Sequence, residues 1–102
     1  VSNAQKKKAT TYSLKSYKDA AKKVADEKGP FVLEVDTDTS ITIARPDGNT
    51  LLAVEEARSS REVINLICGD HAPEIFELFG PEDYTALNQF GDDLREHFEI
   101  GL

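Results

Sequence analysis

Cys68 and His71 stand three residues apart, and thiol and imidazole serve either as zinc ligands or as nucleophile and base. A structural zinc needs about four ligands. The chain offers one further imidazole, His97, and no second thiol. A Cys–His nucleophile also needs donors for the oxyanion it creates, and nothing else in the sequence supplies them. Cys68 closes the apolar segment Ile64-Asn65-Leu66-Ile67, so its expected role is that of a small buried apolar side chain. Asp36-Thr37-Asp38-Thr39-Ser40 has the opening spacing of a calcium loop. Such a loop needs Gly at its sixth position and a bidentate Glu at its twelfth; here those places hold Ile41 and Asp47. Asp and Thr serve turns well, so the segment is expected to be the turn of a hairpin. The carboxylate pairs Glu55-Glu56, Glu82-Asp83 and Asp92-Asp93 are adjacent in sequence, and neighbours on a helix point in different directions. They predict a solvated acidic face and no catalytic dyad. Neither a phosphate-binding loop nor a dinucleotide glycine pattern is present. These residues predict a protein that is not an enzyme, with no metal and no cofactor.

Charge is divided sharply along the chain. All eight lysines lie within residues 1–30, against three acids, while residues 31–102 carry four arginines and sixteen acids. The leader is therefore +5 and the remainder −12, which together give the net −7. An acidic body repels phosphates, which argues against nucleic acid as a partner of the folded part. Lys6-Lys7-Lys8 has Tyr12 and Tyr17 nearby, but a few lysines give only salt-sensitive, non-specific attachment. A solubilising tail is the preferred reading of residues 1–12, which hold little to bury and are expected to form a disordered basic arm.

The 102 residues suit a single domain with a thin core, expected over residues 13–102. No apolar run approaches the ~18 residues of a membrane span. No hydrophobic stretch follows the N-terminal lysines, which argues against a secretory signal. A lone cysteine fits a reducing compartment. The expectation is a soluble cytoplasmic protein. Val1, in a chain without methionine, fits either loss of upstream sequence or a GTG start read literally.

These residues need elements to position them. Leu14, Tyr17, Ala21 and Val24 recur at helical spacing, with lysines on the other face. Ser13 or Ser16 can cap that helix, and Gly29-Pro30 ends it. From Phe31 the period changes to two. Phe31, Leu33 and Val35, then Ile41 and Ile43, predict a β-hairpin with one apolar face. A lone hairpin is unstable in water, so helices must cover it or strands of another chain must pair with it, and self-association stays open. After the turn cluster Arg45-Pro46-Asp47-Gly48-Asn49, a helix is expected over residues 50–58. Ser59 and Glu62 have capping-box spacing before Val63, Ile64, Leu66 and Ile67, and that helix stops at Gly69. Pro73 suits a first turn ahead of Ile75, Phe76, Leu78 and Phe79. The last helix is expected over about residues 81–98, with Glu82 and Asp83 in its first turn. Its apolar stripe runs through Tyr84, Leu87, Phe90 (or Gly91), Leu94 and Phe98. The predicted class is α+β, mostly α: one N-terminal helix, a β-hairpin, three to four short helices and a longer C-terminal helix.

The order of these features carries a resemblance over residues 31–102. A hairpin and a Pro-Asp-Gly turn precede Leu51-Leu52-Ala53-Val54-Glu55-Glu56-Ala57 and Ile64-Asn65-Leu66-Ile67-Cys68-Gly69-Asp70. The last helix ends Asp93-Leu94-Arg95-Glu96-His97-Phe98. This pattern resembles the small tail assembly chaperones of long-tailed, siphophage-type phages of actinobacteria. In that family a similar Leu-rich segment ends in Gly-Asp, and the final helix ends in a His-Phe-Gly-Leu-like sequence. Glu99-Ile100-Gly101-Leu102 departs slightly from that ending. The resemblance implies a non-enzymatic role in the host cell cytoplasm: binding the helical tape-measure protein, keeping it soluble while tail-tube subunits assemble, and leaving before the virion is finished. It also implies two product lengths, the longer made by a translational frameshift. No catalytic residue comes with it, and no binding residue can be carried over by motif. The candidate partner contacts are instead Phe31, Leu33, Ile41 and Ile43 of the hairpin and Tyr84, Phe90 and Phe98 of the last helix. Each of these could equally be core. Two other readings compete. One is a tail or head–tail connector subunit that uses hairpin and arm between neighbours. The other is an acidic mimic of nucleic acid, against which the lysine arm argues.

Overall fold

The computed structural model describes residues 9–99. It is α+β and mostly α, with five helices and one two-stranded antiparallel sheet among those residues. The order is α1 (Leu14–Lys28), β1 (Phe31–Glu34), β2 (Ser40–Ile43), α2 (Gly48–Glu55), α3 (Ser60–Cys68), α4 (Ala72–Phe79) and α5 (Tyr84–His97). A single 3-10 turn, Gly69–His71, joins α3 to α4. Residues 1–8 of the expected arm lie outside the described residues; residues 9–12 are exposed and belong to neither helix nor strand.

The hairpin pairs Phe31 with Ile43 and Leu33 with Ile41, which places all four on one face. Val32, Glu34, Ser40 and Thr42 share the other face and are exposed. The loop closes on itself: the Asp36 carboxylate accepts the Asp38 N–H at 2.9 Å, and Thr39 C=O accepts the N–H groups of Val35 and Asp36. Val35, expected to continue the apolar face, therefore lies beyond the strand and is exposed.

Helices α3 and α5 build the centre. Val63, Ile64, Ile67 and Cys68 come from α3, and Phe90 and Leu94 from α5, with Phe98 just past its end. Ile41 and Ile43 close one side, while Val54, Ala72 and Ile75 complete the core. Across α3 and α5, the Ser60 hydroxyl donates to Asn88 Oδ1 at 2.6 Å. Phe31 meets both Phe90 and His97 edge to face, with ring centres 5.6 and 5.4 Å apart, and so fixes the sheet to α5.

Three boundaries differ from expectation, each for a local reason. Helix α2 starts at Gly48 because the Asp47 carboxylate accepts the Thr50 N–H at 2.8 Å. It stops at Glu55, where Glu56 and Ala57 make tighter bonds to Ala53 and Val54 C=O, leaving Ser59 free to extend and cap α3. Helix α5 starts at Tyr84 rather than near Pro81. Asp83 is its cap and accepts the Thr85 N–H and hydroxyl at 2.9 and 2.6 Å. Glu82 belongs to the turn, donating its N–H to Phe79 C=O.

Helix α1 has the expected caps: Ser13 at its start, and Gly29 at its end with φ +69°. Its apolar stripe, however, covers nothing. Leu14 is 68%, Tyr17 62% and Val24 37% exposed, and no residue of α1 is buried. Among the described residues the helix is held at its root, where His97 Nε2 lies 3.3 Å from Gly29 O and Lys28 pairs with Glu99 at 3.5 Å.

Gly91 is buried on α5, yet a methyl group at its Cα would meet nothing within 4 Å. Glycine inside a helix costs about 0.5–1 kcal/mol relative to alanine. Gly91→Ala is expected to raise the thermal midpoint by several degrees, read by circular dichroism. A lower midpoint would mean that α3 and α5 approach more closely than the free space at this position allows.

Candidate functional site

The seven candidate contacts separate into three groups. Ile41, Ile43, Phe90 and Phe98 are sealed in the core, at 5% exposure or less, so as partner contacts they are corrected to core residues. Their stripes face inward, the hairpin meeting α5 through Phe31, and all four side chains belong to the buried core cluster. Phe31 and Leu33 are half-buried against the core edge. Tyr84 is exposed at 62%.

Around these last residues the surface is concave. Leu33 and Val35 of the hairpin face Leu78 and Phe79 of α4 across a depression of about 200 Å³. On its other side, Phe79 walls a second depression of about 280 Å³ with Phe76, Tyr84 and Leu87. The two adjoin at Phe79, and we treat them together as one groove, largely apolar, from the hairpin over α4 to the start of α5. Phe79 is held in place by Phe90, with ring centres 5.0 Å apart. Arg61 of α3 lies over the Phe76 ring, 5.1 Å from its centre, so one guanidinium borders the groove. Glu34 and Glu82 border it as well. Leu33 and Tyr84 were named from the sequence as candidate partner contacts, and both border the groove. Phe76, Leu78 and Phe79 were legible only as a helix stripe. That stripe is wider than the core can take, and the excess forms the groove.

The residues first considered for chemistry do not assemble. Cys68 is buried while His71 is exposed. Among the described residues, no three His, Cys, Asp or Glu side chains gather closely enough to hold a metal ion. All six paired carboxylates are exposed. A third depression, of about 230 Å³, lies between the start of α3 and α5 and is polar, bordered by Arg58, Asp92 and Arg95. No described helix is long and apolar enough to cross a membrane.

Among the described residues, three groups depart from their ordinary acidity. Hydrogen bonds from the Thr50 N–H and hydroxyl hold Asp47 below the usual carboxylate range, and the Thr85 hydroxyl and N–H do the same for Asp83. Both caps favour the fold above the ordinary carboxylate pKa, and their contribution is lost as pH falls through the lowered values. Burial pushes the Cys68 thiol from 9.0 up to about 11. The thiolate is thus rarer in the folded chain than in the unfolded one, which makes the thiol a poor nucleophile. Its contribution to folding is intact below about pH 9 and declines as pH climbs toward 11, by about 1.4 kcal/mol per unit. Wild-type protein is expected to lose thermal stability more steeply than Cys68→Ala between pH 8.5 and 10. Equal slopes would mean that water reaches the thiol in the folded state.

No family model, curated protein or solved structure matches this chain.

Proposed function

We propose that this protein is a tail assembly chaperone of a long-tailed phage, acting in the host cytoplasm without enzymatic activity. It binds the tape-measure protein, keeps it soluble and helps recruit tail-tube subunits. The observation that carries this reading is the uncovered apolar groove centred on Phe79. A long helical client needs a holder that takes an apolar stretch of it, and helix-in-groove binding uses this kind of surface. The acidic body supplies colloidal repulsion, so that many bound copies do not associate through like-charged faces. Weak binding by each copy adds up by avidity along one client. The order of motifs over residues 31–102 supports the family, and the groove supplies a binding surface that the motifs alone do not define.

One observation favours a second reading. The sheet has two strands only, so each keeps an open edge among the described residues, and open edges accept a strand from a neighbouring subunit. A tail or connector subunit would use them. Co-expression with the tape-measure protein separates the two. For a chaperone, the client becomes soluble, co-purifies with many copies of this chain, and purified virions lack the chain. If the client stays insoluble and the chain is found in virions, the structural reading replaces the chaperone.

A further inference from the structure

Helix α1 and the groove are complementary surfaces of one chain that do not meet. Two residues, Gly29 and Pro30, join α1 to β1, and the root of α1 is pinned beside the end of α5 by His97 and Glu99. The groove begins beside Leu33 of β1, and its far part, beside Tyr84 and Leu87, lies at the other end of α5, about 20 Å away at 1.5 Å per residue. The exposure of Leu14 and Tyr17 shows that the stripe is not docked on its own body.

Charge says what would cover both surfaces. Helix α1 carries five lysines and three acids. The elements that form the groove carry the opposite sign: residues 31–44 hold three acids and no base, and residues 72–84 hold four acids and no base. Arg61 is the one base at the groove, and its guanidinium is spent on the Phe76 ring. A client helix that fits this groove is therefore basic on its polar side and apolar on the other, and α1 has that pattern. We propose that α1 of one copy docks its Leu14–Tyr17–Val24 stripe into the hairpin–α4–α5 groove of a second copy, with its lysines facing the acids at the groove's margins. The contact is heterologous, so two copies either exchange α1 reciprocally and close as a dimer or continue head to tail. The inference holds whatever the client is. A client bound in the groove displaces α1, so self-association is the resting state and client binding ends it.

Sedimentation velocity on the full chain at low ionic strength tests this, since surface charge pairing is strongest where screening is weak. Wild type is expected to show a weight-average mass above one chain that rises with concentration. Leu14→Glu/Tyr17→Glu/Val24→Glu is expected to weaken association by about a thousandfold, as each of the three charges left in an apolar contact costs about a factor of ten. No residue of α1 is buried, so this variant keeps its folded body. Leu78→Glu/Tyr84→Glu, which alters only the groove, is expected to be equally monomeric. Mixing the two variants joins an intact groove to an intact α1 and is expected to restore a heterodimer. A monomeric wild type overturns the proposal, as does association that survives the α1 variant, or a mixture that stays monomeric while wild type associates. Binding of monomeric wild type to phosphatidylglycerol-containing vesicles, lost in the α1 variant, would overturn it in favour of an anionic lipid surface.

Discussion

Leu94→Ala is expected to remove a large part of the protein's folding stability. Leu94 has no exposure and lies in the last turn of α5, within a core of twelve buried apolar side chains among the described residues. Removing a buried leucine costs about 2–5 kcal/mol, because the cavity collapses only in part. A domain of this size holds about 5–10 kcal/mol in all. At about 4–8 °C per kcal/mol, the thermal midpoint is expected to fall by about 15 °C. Leu94→Met keeps the volume and is expected to cost less than about 1.5 kcal/mol. The comparison is read by thermal unfolding of both variants. Equal, small shifts would mean that the α3–α5 contact closes over the lost volume and that the core is looser than its burial indicates.

On the proposed function, Leu78→Glu/Tyr84→Glu is expected to abolish rescue of the tape-measure protein on co-expression. Both residues border the groove and both are exposed, so the change to folding stability is expected to stay within about 0.5 kcal/mol for each substitution. A client segment seated in the groove would strip water from both new carboxylates. That penalty is expected to exceed a factor of about ten per site. If many copies hold one client, as proposed, the loss multiplies along the complex, and the client is expected in the pellet. A client as soluble with this variant as with wild type would remove the groove from the binding surface. In that case the open edges of the hairpin become the next surface to test.

Most of the architecture was legible in the sequence. The period of two over residues 31–43, the Gly29-Pro30 stop and the Ser59–Glu62 spacing each act through local chemistry, and the elements follow them. The boundaries of α2 and α5 were less legible. Asp47 and Asp83 each sit beside residues that could equally continue a turn, and only the hydrogen bonds to Thr50 and Thr85 decide. The site was legible in part. A stripe shows which residues turn away from water, but not whether the covering element belongs to the same chain. Ile41, Ile43, Phe90 and Phe98 find their cover within the chain. Leu14, Tyr17 and Tyr84 carry the same kind of signal and find none. Phe79 was hidden differently: one side meets Phe90 and the other the groove, a division that periodicity cannot encode.

The one thiol in the chain lies buried in the core at the end of α3, so an alkylating reagent can reach it only in molecules that have opened. The rate at which Cys68 is alkylated under native conditions therefore counts opening events and needs no denaturant. Any ligand of the closed form slows that count by a factor of 1 + [L]/Kd. One mass measurement after a timed pulse of reagent would then report occupancy of the protein inside a crude lysate, where no spectroscopic signal from the chain could be read.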